Sequence, residues 1–94
     1  MAIPEVVVTG LGMTTPVGGD VDSTWSAIRA GTPGISKIEA DWISEQPSQI
    51  AGQLAVDPAE VLSKVEIRRM DRSQQCALIA AREAWEHEIG RAHV

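Results

Sequence analysis

The side chains best suited to chemistry in this 94-residue chain are one cysteine, Cys76, and two histidines, His87 and His93. A nucleophilic cysteine needs a partner histidine or a helix N-terminus to form its thiolate, together with access to substrate. Cys76 lies instead inside a helical pattern, which favours a small buried thiol. The histidines are six positions apart with no third ligand at metal spacing, so we predict no metal site.

Gly10 and Gly12 follow the valine run Val6-Val7-Val8, as glycines do at the start of a dinucleotide-binding fingerprint. That fingerprint needs a third glycine three positions after the second, where this chain has Thr15 followed by Pro16. No acidic residue follows a convincing second strand. We therefore interpret the two glycines as a structural turn.

The strands and helices that must position these residues are predicted from the pattern of apolar residues and from helix-capping residues. The continuous valine run predicts a strand covered on both faces, as in the parallel core of an α/β fold. We predict helices at about residues 22–30, 58–62 and after Asp71, with Asp20, Asp22 or Ser23, then Asp57, then Asp71 as caps. Residues 35–49 are predicted to be irregular, 50–54 a short strand and 64–70 a basic turn.

The last predicted helix carries two stripes of different character. Leu78, Ala81 and Trp85 form an apolar stripe. The small-residue stripe beside it consists of Cys76, Ala77, Ala80 and Ala84. Small residues allow close backbone approach, so we expect this helix to pack deep inside a larger body.

Composition narrows the class of protein. Thirteen acidic residues against eight basic ones give a net charge of −5, which argues against nucleic acid as a partner. One cysteine cannot form an internal disulfide, and we find no signal peptide and no membrane span. The expected location is the cytoplasm.

The basic residues are concentrated in one segment. Lys64, Arg68 and Arg72 recur every four positions, so on a helical backbone they would share one face. Such a face could dock an acidic partner, or it could be a solvated surface. From charge alone we favour the solvated surface.

An ordered set of short motifs carries a resemblance to a known family. The set consists of Val6-Val7-Val8-Thr9-Gly10-Leu11-Gly12, Thr14-Thr15-Pro16-Val17-Gly18, Ser23-Thr24-Trp25, Ala30-Gly31, Gly34-Ile35, Ala51-Gly52 and Arg68-Arg69-Met70-Asp71. In this order and spacing it resembles the β-ketoacyl-ACP synthases, most of all the elongating synthase II group of fatty-acid synthesis. Polyketide ketosynthases share much of the set and are the alternative.

The resemblance implies an α/β protein with a thiolase-like α-β-α-β-α layered fold, of which residues 1–87 would be an incomplete N-terminal portion, and a homodimer. It implies elongation of acyl-ACP by decarboxylative Claisen condensation with malonyl-ACP, without organic cofactor or essential metal. The family's catalytic cysteine and two histidines lie downstream of this segment. No catalytic residue is therefore assigned, and the chain alone is expected to be inactive.

The resemblance also bears on the basic segment. In the family, basic residues just before the Met-Asp pair help to dock the acidic acyl carrier protein. Those positions are occupied here by Lys64, Arg68 and Arg69. With the resemblance, a docking surface becomes the favoured interpretation over a solvated surface. Val65 stands where relatives can have lysine.

From Glu88 onward the sequence departs from the family. Residues 88–94 resemble an in-frame translation of a common sequencing adapter, so we predict a non-native tail there. The opposing hypothesis is a genuine small α/β interaction module that uses the basic segment to bind an acidic partner.

Overall fold

The computed structural model describes residues 3–92. This part of the chain forms, in order, α1 (Val21–Ala30), β1 (Ile35–Lys37), a 3₁₀ turn (Ile43–Glu45), β2 (Ile50–Gly52), α2 (Pro58–Val61), α3 (Lys64–Arg69) and α4 (Arg72–Ala92). The strands β1 and β2 pair antiparallel, with Ser36 opposite Ala51. The mixture of helices and strands agrees with the predicted α/β class.

The predicted caps of α1 are confirmed. The Asp20 carboxylate accepts a hydrogen bond from the Ser23 N–H at 2.8 Å, and the Ser23 hydroxyl faces the Asp20 N–H in return. Both interactions satisfy amide donors that a helix start leaves unpaired. At the other end Gly31 adopts a left-handed φ of 73°, a conformation that favours glycine.

The two later helix starts also match the sequence. Asp57 accepts a hydrogen bond from the Ala59 N–H at 2.9 Å, with Pro58 at the first helical position, although α2 ends at Val61. Asp71 accepts from the Gln74 N–H at 2.9 Å and donates its own N–H to Gln74 Oε1 at 3.1 Å. The last helix therefore begins where its cap was predicted.

The predicted buried strand at Val6-Val7-Val8 is not formed. The three side chains are 92%, 72% and 72% exposed, and no strand is assigned to residues 3–14. A strand needs a neighbour to pair with its backbone N–H and C=O groups. Among residues 3–92 no such neighbour runs beside the valines, so the segment lies along the surface.

The predictions for residues 35–49 and 64–70 are wrong, because both segments contain regular structure. Residues 35–49 contain β1 and the 3₁₀ turn, and β1 depends on its pairing with β2, which no local pattern reveals. Residues 64–69 form a helix and not a turn. The predicted strand at 50–54 is confirmed in its first three residues.

Gly10 and Gly12 lie directly on the small-residue stripe of α4. A Cβ added at Gly12 would overlap the carbonyl oxygen of Ala80 and stand 2.8 Å from the Ala84 nitrogen. A Cβ at Gly10 would overlap the carbonyl oxygen of Ala84. The paired glycines are therefore needed for close backbone approach to α4. The predicted turn is not formed at residues 10–12, so their role is structural but different from the one predicted.

Hydrogen bonds fix the same N-terminal segment to α4. The Met13 N–H donates to Glu83 Oε1 and the Val21 N–H donates to Glu83 Oε2, each at 3.0 Å. The Leu11 N–H donates to His87 Nδ1 at 3.3 Å. One carboxylate thereby ties the glycine segment and the first residue of α1 to the same helix.

The buried core of the described residues is small, with Pro58, Leu62 and Ile79 as its apolar members. The radius of gyration is 17.1 Å, against about 12 Å for a compact domain of this length. The side chains of Trp25 and Trp85 are more than half exposed. The apolar stripe predicted around Trp85 therefore packs only in part.

Candidate docking surface

The three residues predicted to dock a partner lie on one short helix. Lys64, Arg68 and Arg69 are all exposed on α3. Among the described residues no carboxylate forms a salt bridge with any of them. Within residues 3–92 their charges are therefore not neutralised by a carboxylate.

A capping box starts α3. The Ser63 hydroxyl accepts a hydrogen bond from the Glu66 N–H at 3.2 Å, and the Ser63 N–H donates to Glu66 Oε1 at 3.1 Å. The Ser-x-x-Glu spacing is a known sequence signal of a helix start. That signal was present in the sequence and could have corrected the predicted turn.

Gln75 closes the other end of α3. Its side-chain Nε2 donates to the carbonyl oxygens of Ile67 at 3.2 Å and Met70 at 3.0 Å. The carbonyl groups of the last turn have no partner within a helix, so these bonds satisfy two acceptors that α3 itself leaves open. Gln75 is buried in α4, and it thereby anchors α3 to the longer helix.

An ion pair provides a second link between α3 and α4. Glu66 Oε2 accepts a hydrogen bond from Arg82. The Arg82 guanidinium first, and the Ser63 N–H second, lower the pKa of Glu66 from 4.5 to about 2. Glu66 is therefore charged at neutral pH and engaged by Arg82.

The predicted four-residue basic stripe is interrupted. Met70 is extended at φ −127° and ψ 147°, so α3 ends before Arg72, which belongs to α4. Arg72 lies 3.9 Å from the Asp57 carboxylate and faces α2. Lys64 and Arg68 remain neighbours one turn apart, whereas Arg72 is not part of their surface.

Beside these two cations the surface is concave. Lys64 and Arg68 border a recess of about 250 Å³ whose remaining lining is Ala59, Leu62 and Ile67. Leu62 is buried and Ile67 half-buried, so the floor of the recess is apolar and fixed in the packing. We refer to these five residues as the α2–α3 recess.

The cysteine and the two histidines lie away from the α2–α3 recess or outside the described residues. Cys76 is a half-buried free thiol within α4, as its helical pattern predicted, although its burial is only partial. His87 accepts a backbone hydrogen bond, and His93 lies outside the described residues. Within residues 3–92 no three His, Cys, Asp or Glu side chains come together as a metal site. No helix in that range has the length and hydropathy to cross a membrane.

Comparison with known proteins identifies the family. Residues 4–90 match the model of the β-ketoacyl synthase N-terminal domain. The chain therefore belongs to the β-ketoacyl synthase family.

Three curated relatives share the name 3-oxoacyl-[acyl-carrier-protein] synthase 2. The Coxiella burnetii protein is 43% identical over 83 residues, which are 87% of this chain and 20% of the relative. The Mycobacterium leprae protein is 35% identical over 88 residues, 92% of this chain and 21% of the relative. The Staphylococcus aureus (strain COL) protein is 41% identical over 81 residues, which are 85% of this chain and 20% of the relative. The chain thus spans about a fifth of the length of these relatives.

The backbone shows no break at the predicted boundary before residue 88. The helix α4 continues through Glu88 to Ala92, and residues 93 and 94 lie outside the described part. The division into a synthase portion at 1–87 and a non-native tail at 88–94 stays a prediction.

Proposed function

We propose that the complete protein containing this segment is an elongating 3-oxoacyl-ACP synthase of fatty-acid synthesis. It would transfer an acyl group from acyl carrier protein to a cysteine, decarboxylate malonyl-ACP and join the two by Claisen condensation. The observation that carries this proposal is the match of residues 4–90 to the family, together with the shared name of the relatives.

The catalytic groups of this reaction would lie outside the chain. A condensing cysteine acts as a thiolate with access to an acyl thioester, and histidines assist decarboxylation. Cys76 lies inside α4 and not at a helix N-terminus, and His87 accepts the Leu11 N–H, so neither has the surroundings of those groups. The segment would contribute structure and partner binding to the enzyme.

The proposed architecture is a thiolase-like layered fold in a cytoplasmic homodimer. In that fold the run Val6-Val7-Val8 would be a central strand flanked by strands from the rest of the enzyme. Its exposure and its lack of a pairing strand among residues 3–92 support this assignment, because a triple-valine run is costly to leave in water.

We also propose that Lys64, Arg68 and Arg69 dock the acidic carrier protein. Their exposure, their shared helix and the absence of salt bridges to described carboxylates support this role. Reversing two charges, Arg68→Glu with Arg69→Glu, should raise KM for acyl-ACP about tenfold and leave a small thioester substrate unaffected. Arg29→Glu with Lys37→Glu, a double reversal at exposed residues of α1 and β1, is the matched control. An unchanged KM for acyl-ACP would remove the docking assignment.

The enzyme assignment itself is tested at the source DNA. Resequencing through the codon for His87 should extend the reading frame into a cysteine followed by two histidines. The encoded protein should then release CO₂ from malonyl-ACP and form 3-oxoacyl-ACP. A stop codon confirmed after Val94, in a chain that unfolds cooperatively on its own, would favour the interaction module instead.

A further inference from the structure

We propose that the α2–α3 recess receives one apolar side chain from the acidic carrier protein, while Lys64 and Arg68 bind acidic groups on either side of it. The inference rests on the proposed function and adds to it a second, uncharged contact. It concerns Ala59, Leu62 and Ile67, none of which the sequence suggested.

The dimensions of the recess suit this occupant. Its volume of about 250 Å³ exceeds the roughly 150 Å³ in which an apolar cavity already binds benzene. A single leucine, isoleucine or methionine side chain would therefore fit. The recess opens to the surface between α2 and α3, so a partner's side chain can enter without rearrangement of either helix.

The positive charge at the border of the recess favours an acidic partner. The two polar residues of the recess, Lys64 and Arg68, are both cationic and both exposed at its border. Glu66, the acidic residue of α3, is bound to Arg82. An apolar residue flanked by Asp or Glu on a helix would match this arrangement, whereas a basic or neutral partner would leave the cations unpaired.

The two kinds of contact make separable contributions to binding. Exposed charges mainly govern the association rate and the salt dependence of affinity. Burial of an apolar side chain depends little on salt and mainly governs dissociation. A variant that fills the recess without changing charge should therefore weaken binding equally at low and high salt.

Ala59→Leu provides this change, because Ala59 lies on α2 and lines the recess. We expect the complete protein carrying it to bind purified acyl carrier protein about tenfold more weakly, with an unchanged slope of log Kd against log salt. Ala55→Leu, an equal change at an exposed site outside the recess, should bind normally. Arg68→Glu should weaken binding and also reduce the slope.

The binding affinities of the Ala59 and Arg68 variants decide between the recess and charge docking alone. Normal affinity of Ala59→Leu beside weakened binding of Arg68→Glu would overturn the recess and leave charge docking intact. Normal affinity of both variants would overturn the carrier-protein interface altogether. Ala59→Gln, a polar replacement suited to a helix, repeats the test if the leucine variant loses its native circular dichroism. Loss of binding by Ala59→Leu and Ala59→Gln with a constant salt slope would establish the recess.

Discussion

Glu83 offers the most local test of how the glycine segment is held. Its two carboxylate oxygens each accept one backbone N–H, from Met13 and from Val21, at 3.0 Å. Glu83→Gln leaves one acceptor oxygen and turns an NH₂ group toward the other amide. Glu83→Ala removes both acceptors.

The expected loss of amide protection follows from the strength of a hydrogen bond to a carboxylate. A hydrogen bond to a charged group contributes about 1.5–3 kcal/mol, and the half-buried position of Glu83 favours a value of about 2. Since 1.4 kcal/mol is a factor of ten, each lost bond should lower the protection of its amide against hydrogen exchange roughly 30-fold. Glu83→Gln should affect one of the two amides, and Glu83→Ala should affect both.

Hydrogen–deuterium exchange of the complete protein, read by mass spectrometry at single-amide resolution, measures this effect. Glu86→Gln is the matched control, because Glu86 is exposed on the same helix and the charge change is identical. If Met13 and Val21 keep full protection in Glu83→Ala, the carboxylate does not hold the segment and the reasoning fails.

Two other predictions concern packing and acid stability. In the 94-residue chain, Gly12→Ala places a methyl group against the Ala80 carbonyl and should destabilise the fold by about 1–3 kcal/mol, seen as a lower thermal midpoint. Gly90→Ala in the same chain meets no atom within 4 Å and should not lower the midpoint. Because the pKa of Glu66 falls from 4.5 unfolded to about 2 folded, its ionised form adds stability above pH 4.5 that is lost as the pH falls toward 2. Urea unfolding should therefore show wild type and Glu66→Gln converging in that range, and a constant difference between them would contradict the pairing with Arg82.

The sequence predicted the local features of this fold well. Asp20, Asp57 and Asp71 were readable as caps because a capping side chain and its amide are two or three residues apart. The end of α1 at Gly31 is local as well, because it depends on the left-handed φ of that one residue. The start of α3 at Ser63 is equally local, since Ser63 and Glu66 are three residues apart.

Contacts between distant segments could not be predicted in this way. Glu83 lies 70 residues from Met13, and nothing in its neighbourhood distinguishes it from the exposed Glu86. The α2–α3 recess likewise depends on the angle at which two short helices meet. The resemblance to a family predicted which cations would dock a partner, but it gave no information on the apolar surface between them.

The links that hold α3 have a consequence for the thermodynamics of association. A helix of six residues is far too short to be stable alone in water, so α3 owes its form to Ser63, Gln75 and Arg82. A partner that binds Lys64 and Arg68 therefore meets a backbone that is already ordered. The conformational entropy lost on binding is then confined to side-chain rotamers, and such preorganisation leaves more of the contact energy to appear as affinity.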